Sequence, residues 1–546
     1  MIRKLFDFHG GVNLRQHKKE TTQHPVQTAA LPKRLILPLH QHIGHPAEPV
    51  VAVGDKVFKS QLSARPVSDI SAAVHASSSG KVVDICEHDI PHPSGLKAPC
   101  IIIETDGFDR SRRESVRTHN LNDLSPAQIR NIIHQAGIVG LGGAGFPATI
   151  KLNPGDKKVE TLIINGAECE PYITCDEMLI REQAVEIIEG VLIMRQALQA
   201  SRCVIAIENR KFKTLDIMNK MVARSGYDFI EVVAVPTVYP AGGEKQLIQV
   251  ITGQEVPSQG LPIDIGVVCQ NIATAYAACR AVEHGEPLIS RYVTIAGSVV
   301  KPRNLEVRIG TPISDLIEQC GGNRQTLSKL IIGGPMMGFA LHNDDVPVVK
   351  TTNCILVNSV IADVPLPSRS VSAMPCIRCG ACADACPMNL LPQQLYWYAK
   401  AKDFDKVQEY DLFDCIECGC CDYVCPSHIP LVQYYRFAKT EIWNQEREKQ
   451  FADYSRQRHE FHNYRLEREK QEREARHKQK RAEVTGQKDG DSKQAAIQAA
   501  LERVRQKREQ SAVKPKNTDN LTTEQQQLIA EVEARRAKKT TIKNKH

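Results

Sequence analysis

Apolar residues in this chain come first in short runs broken by turns, then in runs spaced by helical stretches, and finally hardly at all. Between residues 30 and 115 the pattern is strand and turn, as in Val50-Val51-Ala52-Val53-Gly54-Asp55-Lys56-Val57 and again in 74–83, where Ser77-Ser78-Ser79-Gly80 separates Val74 from Val82-Val83. Such alternation predicts a small β-module. From 125 to 285, helical segments alternate with β-rich runs such as Thr161-Leu162-Ile163-Ile164-Asn165, Cys203-Val204-Ile205-Ala206-Ile207 and Phe229-Ile230-Glu231-Val232-Val233-Ala234-Val235. That is an α/β pattern. Residues 290–345 read as a strand–helix–strand unit. A Pro/Ser-rich linker around Pro365-Leu366-Pro367-Ser368 leads to a cysteine-rich segment, 368–436, with a helical stretch over 391–410. From 440 to 546 the chain is Glu, Arg, Lys, Gln and Ala. Large apolar residues are sparse between 447 and 481, which predicts a solvated helix or disorder rather than a coiled coil. Ile497, Leu501 and Val504 mark one mildly amphipathic piece, and Leu528, Ile529 and Val532 another. The fold class expected is therefore multidomain α+β.

Composition narrows the functional classes. The 546 residues suffice for about three to four domains. No apolar run approaches the ~18–20 residues of a membrane span; Cys100 to Ile103 and Ile265 to Cys269 are strand-sized. Met1-Ile2-Arg3-Lys4-Leu5-Phe6 breaks at His9-Gly10-Gly11 without a signal peptide's apolar core, so a soluble protein working where it is made is expected. Its 18 cysteines then belong to a reducing compartment and to metal ligation or packing rather than to disulfides. The net charge of +7 is uneven: from Glu441 onward there are 26 Lys+Arg against 18 Asp+Glu, leaving 44 against 45 in the rest. The positive character belongs to a tail, and no nucleic-acid-binding face is expected on the body. His40, His42, His45 and His75 form no helical i,i+4 pair and read as scattered core or surface residues.

Eight cysteines form two matching runs, Cys376-x2-Cys379-x2-Cys382-x3-Cys386-Pro387 and Cys415-x2-Cys418-x2-Cys421-x3-Cys425-Pro426. Three thiolates at this spacing wrap the corners of one cubane. The fourth, before a proline that turns the chain away, serves the other cluster. This predicts Cys376, Cys379, Cys382 and Cys425 around one [4Fe–4S] centre, and Cys386, Cys415, Cys418 and Cys421 around a second. Two four-cysteine zinc sites are the competing reading, but those usually pair separated C-x2-C knuckles. Cys420 breaks the spacing and is expected to point away.

Four further segments carry candidate chemistry. Gly140-Leu141-Gly142-Gly143-Ala144-Gly145-Phe146-Pro147 permits close backbone approach to an anion, and no Gly-Lys-Ser/Thr follows to make it a P-loop. Asn165-Gly166-Ala167-Glu168-Cys169-Glu170-Pro171-Tyr172 follows a predicted strand, where Asn and Glu can bind ribityl or nucleotide hydroxyls. Tyr239-Pro240-Ala241-Gly242-Gly243-Glu244-Lys245-Gln246-Leu247 and Cys269-Gln270-Asn271-Ile272-Ala273-Thr274 complete the set.

In this order and nearly ungapped within each, the four segments resemble the flavin- and NADH-binding subunit of respiratory complex I. The resemblance implies FMN as cofactor and NADH as substrate. Gly140, Gly142, Gly143 and Gly145 would form the phosphate cradle, Lys151 would match the family's lysine, and Asn165, Glu168, Glu170, Tyr239, Gly242, Glu244 and Asn271 its other contacts. Leu141, Ala167, Cys169 and Gly243 depart from the family's arginine, aspartate, glycine and first glutamate. Residues 30–115 resemble the barrel-sandwich hybrid of lipoyl and biotinyl carriers, without an exposed Met-Lys-Met hairpin for a swinging group. Residues 290–345 resemble the β-grasp ligand-binding unit that follows the flavin domain.

The whole order across 1–440 resembles the C subunit of the Rnf (Rsx) ion-translocating oxidoreductase complex. That family implies a peripheral subunit on the cytoplasmic face of the inner membrane. It would pass electrons between NADH and a ferredoxin-type partner through FMN and two [4Fe–4S] clusters, while other subunits move Na⁺ or H⁺. No catalytic acid or base is required, and none is assigned. Two alternatives are a soluble flavin/iron–sulfur reductase like the cobalamin reductases, and a cluster relay with a vestigial flavin pocket.

Overall fold

The computed structural model describes residues 4–111, 121–322, 329–358, 372–485 and 490–510, with isolated positions between 523 and 532. The chain divides into two units, Met1–Gln445 and Glu446–His546. The predicted linker Pro365 to Ser368 and Leu528 of the tail lie outside the described residues.

The first module is β throughout. One sheet runs Arg34–Pro38, Lys97–Thr105, Gly80–Asp89, Lys56–Val57, and a second runs Glu48–Pro49, Leu62–Arg65, Val74–His75. All of these pairings are antiparallel. Leu35, Leu37, Val82, Ile101 and Ile103 point into the large core, while Ile36, Cys100 and Ile102 alternate into a small cluster on the other face. His42 and His75 are core residues. The Nε2 of His42 accepts from the Ala72 amide at 3.0 Å, and burial lowers the two rings to pKa values of about 4 and about 3.

The α/β module holds a parallel sheet in the order Ile230–Val235, Arg202–Glu208, Thr161–Gly166, Val267–Asn271. Strand Thr161–Gly166 is buried almost throughout, because helices cover both faces of a parallel sheet. Helices Cys175–Leu198 and Ile272–His284 pack into one core, and Glu244–Thr252 into the core of the opposite face. The first two meet at Gly190, where a Cβ would stand 1.9 Å from the Ala275 carbonyl oxygen. Only glycine allows that approach. The chain steps from Thr161–Gly166 outward to Arg202–Glu208 and Ile230–Val235, then returns to the other side for Val267–Asn271. The order therefore reverses between two strands in which Asn165 and Asn271 are direct register partners. Ligand crevices of open α/β sheets form at this switch point.

The β-grasp unit is wider than its sequence segment. Its six-stranded sheet includes Ser290–Gly297, Arg303–Arg308, Lys329–Ile332 and Phe339–Ala340, and also draws in Gln27–Thr28 and Cys354–Asn358. Helix Ile313–Gln319 packs on it through Ile313, Leu316 and Ile317. Lys350 pins three modules together: buried, it donates from Nζ to the carbonyls of Ala73 at 2.6 Å and Gly137 at 2.7 Å.

The cysteine-rich segment is helical as expected, with Pro392–Ala401 and Phe404–Glu409 between the runs. Leu395, Tyr396, Ala399, Val407 and Leu412 pack against Tyr435, Ala438 and Ile442 at the start of helix Leu431–Thr485. The second unit, taken by itself, is helical over its described stretches, and its described side chains are almost all exposed. Ile497, Leu501 and Val504 are each at least 60 % exposed, so the apolar positions described in helix Gly490–Gln510 form no buried stripe. Among the described residues no helix is long and apolar enough to cross a membrane.

Candidate functional site

The two cysteine runs interlock. One cavity is lined by Cys376, Cys379, Cys382 and Cys425, and a second by Cys386, Cys415, Cys418 and Cys421. Each thus receives three thiols from one run and the fourth from the other, as the spacing predicts. Helices Ala381–Asp384 and Cys420–Val424 follow glycines with φ of 83° and 77°, a turn that folds each tripod back on itself. Four converging thiols walled by Leu395, Val432 and Tyr435 suit a thiolate-ligated cluster shielded from water. Cys420, expected to point away, instead also lines the second cavity. It is fully buried, packing with Val12, Tyr239, Met336 and Ala385.

The two cavities differ in setting. Cys379 of the first is exposed, whereas Cys386, Cys418 and Cys421 of the second are buried. The second lies against the α/β module. The Tyr239 hydroxyl donates to the Cys418 carbonyl at 2.7 Å, Lys245 pairs with Asp414 at 3.0 Å, and the Gln246 amide reaches Met388 Sδ at 3.0 Å. The amino-terminal segment closes the same seam, with His9 Nδ1 2.8 Å from the Cys386 carbonyl and Val12 bridging to Tyr239.

At the switch point of the parallel sheet the glycine loop faces Asn271. A Cβ on Gly142 would lie 3.3 Å from the Asn271 Cβ, while one on Gly143, where φ is +117°, would enter open space. Gly145, at φ +66°, packs so closely that a Cβ would meet Thr351 at 2.6 Å; Gly140 sits against the Phe146 backbone. The Leu141 amide donates to Thr274 Oγ1 at 3.0 Å, tying the loop to the first turn of helix Ile272–His284. Asn271 caps that helix, its Oδ1 accepting from the Ala273 amide at 2.8 Å. Lys151 pairs with Glu244 at 2.8 Å and donates to the Cys269 carbonyl, and the Asn165 amide donates to the Gly242 carbonyl at 2.8 Å. Gly140, Gly142, Gly143, Gly145, Lys151, Asn165, Gly242, Glu244 and Asn271 thus come together at the switch point, where such sheets form their ligand crevice. A capped helix start, an ammonium, two carboxamides and an open glycine turn fit a phosphate with a polyhydroxy chain.

The other three expected contacts face elsewhere. Glu170 accepts from the Met336 and Met337 amides at 2.7 and 3.1 Å, and burial raises its carboxyl above the usual range. Tyr239 reaches the cluster segment as described. Glu168 turns into a buried ion network that sequence reasoning did not detect. Lys211 lies 3.3 Å from Glu168, 3.1 Å from Glu208 and 3.7 Å from Glu177, with side chains at most 7 % exposed. Arg181 pairs with Glu177, and Lys18 with Glu208 at 4.0 Å. Burial alone would raise the Glu168 carboxyl, but Lys211 and Lys18 hold it below the usual range. Burial and then the neighbouring Glu168 charge push Asp176 up to about 7, while Asn271 donates to it at 2.7 Å. Four carboxyls thus face Lys211, Arg181 and Lys18, and the buried Arg291 guanidinium also acts on Asp176. Glu168, Cys175 and Asp176 also bring ligand atoms within 4.8 Å of one another, but the Lys211 ammonium already occupies that acidic surface. The local signals were Glu208 three residues before Lys211 at a strand end and the i,i+4 pair Glu177–Arg181. Cys169 is a packing residue under Gly242, where a Cβ would lie 2.9 Å from its Sγ, and burial raises its thiol to about 12.

Comparison with known proteins agrees with this layout. Residues 6–108 match the RnfC barrel sandwich hybrid domain, 133–280 the Nuo51 FMN-binding domain, 292–340 the SLBB domain and 375–429 the 4Fe-4S dicluster domain. The C subunit of the ion-translocating oxidoreductase complex of Klebsiella pneumoniae is 44% identical over 544 residues, which are 98% of this chain and 70% of that protein. The chain belongs to this C-subunit family. The Pseudomonas aeruginosa member is 45% identical over 86% of this chain and 60% of its own length, and a Vibrio cholerae member 44% identical over 94% and 66%. The chain thus spans somewhat under two thirds of the length of these two relatives. A NAD+-reducing [NiFe]-hydrogenase structure in the air-oxidized state superposes with a TM-score of 0.43 at 18% identity, over 59% of this chain and 65% of that one, too loosely to argue from. The multidomain α+β architecture expected from the sequence is the one observed, with its barrel-sandwich, FMN-domain-like, β-grasp and dicluster parts in the expected order.

Proposed function

We propose that this chain is a peripheral electron-transfer subunit of a membrane-bound ion-translocating oxidoreductase complex, carrying electrons between NADH and a ferredoxin-type partner. The observation that carries the reading is the seam between the switch-point crevice and the dicluster segment. One loop, 239–247, supplies Gly242 and Glu244 to the crevice and, through Tyr239 and Lys245, bonds to the Cys418 carbonyl and Asp414 of the second cysteine run's segment. FMN in the crevice would supply hydride-accepting chemistry that releases single electrons, and two [4Fe–4S] clusters single-electron carriage.

The protein's own part is positioning and shielding. The glycine loop, Asn271 and Lys151 would hold the phosphate, and Asn165 and Glu244 the polyhydroxy chain. Cys386, Cys415, Cys418 and Cys421 would form the inner cluster site, beside the flavin crevice. Cys376, Cys379, Cys382 and Cys425 would form the outer one, where exposed Cys379 leaves a face for the partner. The division of the chain into β-module, flavin, β-grasp, dicluster and tail parts belongs to the same reading. So does peripheral attachment on the cytoplasmic side of an inner membrane through partner subunits, while other subunits translocate the ion.

The test is an anaerobic titration of the full-length holoprotein with NADH, following flavin bleaching and cluster absorbance together. Bleaching of both supports the reading. Clusters reduced by dithionite but untouched by NADH would overturn the NADH step and leave a cluster relay.

A further inference from the structure

Away from the crevice and both cysteine cavities, a cavity of about 220 Å³ opens where three modules meet. None of the residues assigned above to FMN or to the clusters lines it. The β-module contributes Lys59, helix Ile272–His284 contributes Tyr276, Ala277 and Arg280, and the β-grasp sheet contributes Tyr292 and Arg308. Cavities at domain junctions with an apolar body and a few convergent polar groups are the usual form of small-molecule sites.

One end carries two cations, and Glu306, which lines the same cavity, accepts from the Ser290 hydroxyl at 3.0 Å. Lys59 and Arg308 each lie 2.9 Å from the same Asp109 carboxylate, so two cations share one anion. Their side chains are each 18 % exposed, open enough to meet a ligand and buried enough for a charge-assisted bond to count. The opposite end is balanced, Arg280 being paired with Glu286 and, at 3.4 Å, with Glu186. Between the ends the Tyr276 and Tyr292 rings stand 6.3 Å apart at 54°. Leu141, Leu179 and Ala277 are among the residues that give the cavity apolar surface. Leu141 is also the second residue of the glycine loop, and its carbonyl accepts from Arg291 at 3.3 Å. An occupant would therefore touch the loop that forms the phosphate cradle from its far side.

We propose that this cavity binds a small organic anion, a carboxylate or phosphate carried on an apolar or aromatic body. The anionic group sits between Lys59 and Arg308, and the body lies along Tyr276, Tyr292 and Ala277. This goes beyond the electron-transfer reading and does not depend on it.

The experiment is equilibrium binding of phenyl phosphate to the full-length holoprotein with FMN added in excess. Benzoate distinguishes carboxylate from phosphate recognition, and benzyl alcohol serves as the neutral control. The expected result is binding of at least one anion in the presence of FMN, about tenfold weaker in Arg308→Gln and lost in Ala277→Phe, which fills the cavity. Arg308→Gln keeps the Lys59–Asp109 pair, so it remains informative should the bulkier variant misfold. No binding of either anion, displacement of the anion by FMN, or affinity equal to that of benzyl alcohol and unchanged by Arg308→Gln would each overturn the proposal.

Discussion

Replacing Lys211 by Met removes the central cation of the buried network while keeping most of the side chain's volume. In the native protein Lys211, Arg181 and Lys18, with Arg291 beside Asp176, face four carboxyls, and Asp176 has its pKa raised to about 7. Without Lys211 a second buried carboxyl must take up a proton at neutral pH. A glutamate with an unfolded pKa of ~4.3 kept protonated at pH 7 costs about 3.7 kcal/mol, at 1.36 kcal/mol per unit. Breaking buried ion pairs gives a similar figure, roughly 3–5 kcal/mol. The sign follows from proton counts. In the variant the folded state binds one proton more than the unfolded state between pH ~4.3 and the raised folded pKa, so its stability falls as pH rises through that window. The deficit relative to the native chain should therefore shrink to about 1.6 kcal/mol at pH 5.5. Amide exchange of strand Arg202–Glu208, which ends in this network, reports the local free energy at both pH values. Adding Glu208→Gln should recover part of the loss. A deficit below about 1 kcal/mol at pH 7, or one equal at both pH values, would refute the charge-balance argument.

Cys386→Ala should cost the protein the cluster held by Cys415, Cys418 and Cys421 and spare the other, because Cys386 lines the second cavity; electron paramagnetic resonance showing loss confined to the first-run cluster would reverse the ligand assignment. Lys151→Met should reduce bound FMN in flavin analysis yet change stability by less than about 1 kcal/mol, since the Lys151–Glu244 pair is 27 % and 38 % exposed. Full flavin content in that variant would remove Lys151 from the cradle. Tyr239→Phe removes the donor on the Cys418 carbonyl and should lower the reduction potential of the inner cluster alone, because the charge added on reduction loses a hydrogen-bond dipole. Redox titration of both clusters checks this, and equal shifts in both, or none, would count against it.

Much of this protein is legible in its sequence, because its strongest signals are local. Two cysteine tripods each followed by Cys-Pro specify shared ligation through spacing alone, and both cavities are lined by the expected four thiols. The β, α/β and helical segments follow from periodicity, and the neutral body and basic tail from counting charges. What depended on the tertiary structure is everything made by residues far apart in the chain. Glu168, Glu170 and Tyr239 sit in flavin-like motifs, yet burial and their partners Lys211, Met336 and Cys418 turn them away from the crevice, and no local pattern encodes those partners. The β-grasp sheet recruits Gln27–Thr28 and Cys354–Asn358 for the same reason, since strand pairing is decided by register and exposed edges rather than by proximity in sequence. The order of the cluster sites relative to the crevice is likewise a matter of packing. The spacing of the cysteines determines which thiols share a site, but only the fold decides which site lies against Tyr239 and which opens to solvent at Cys379.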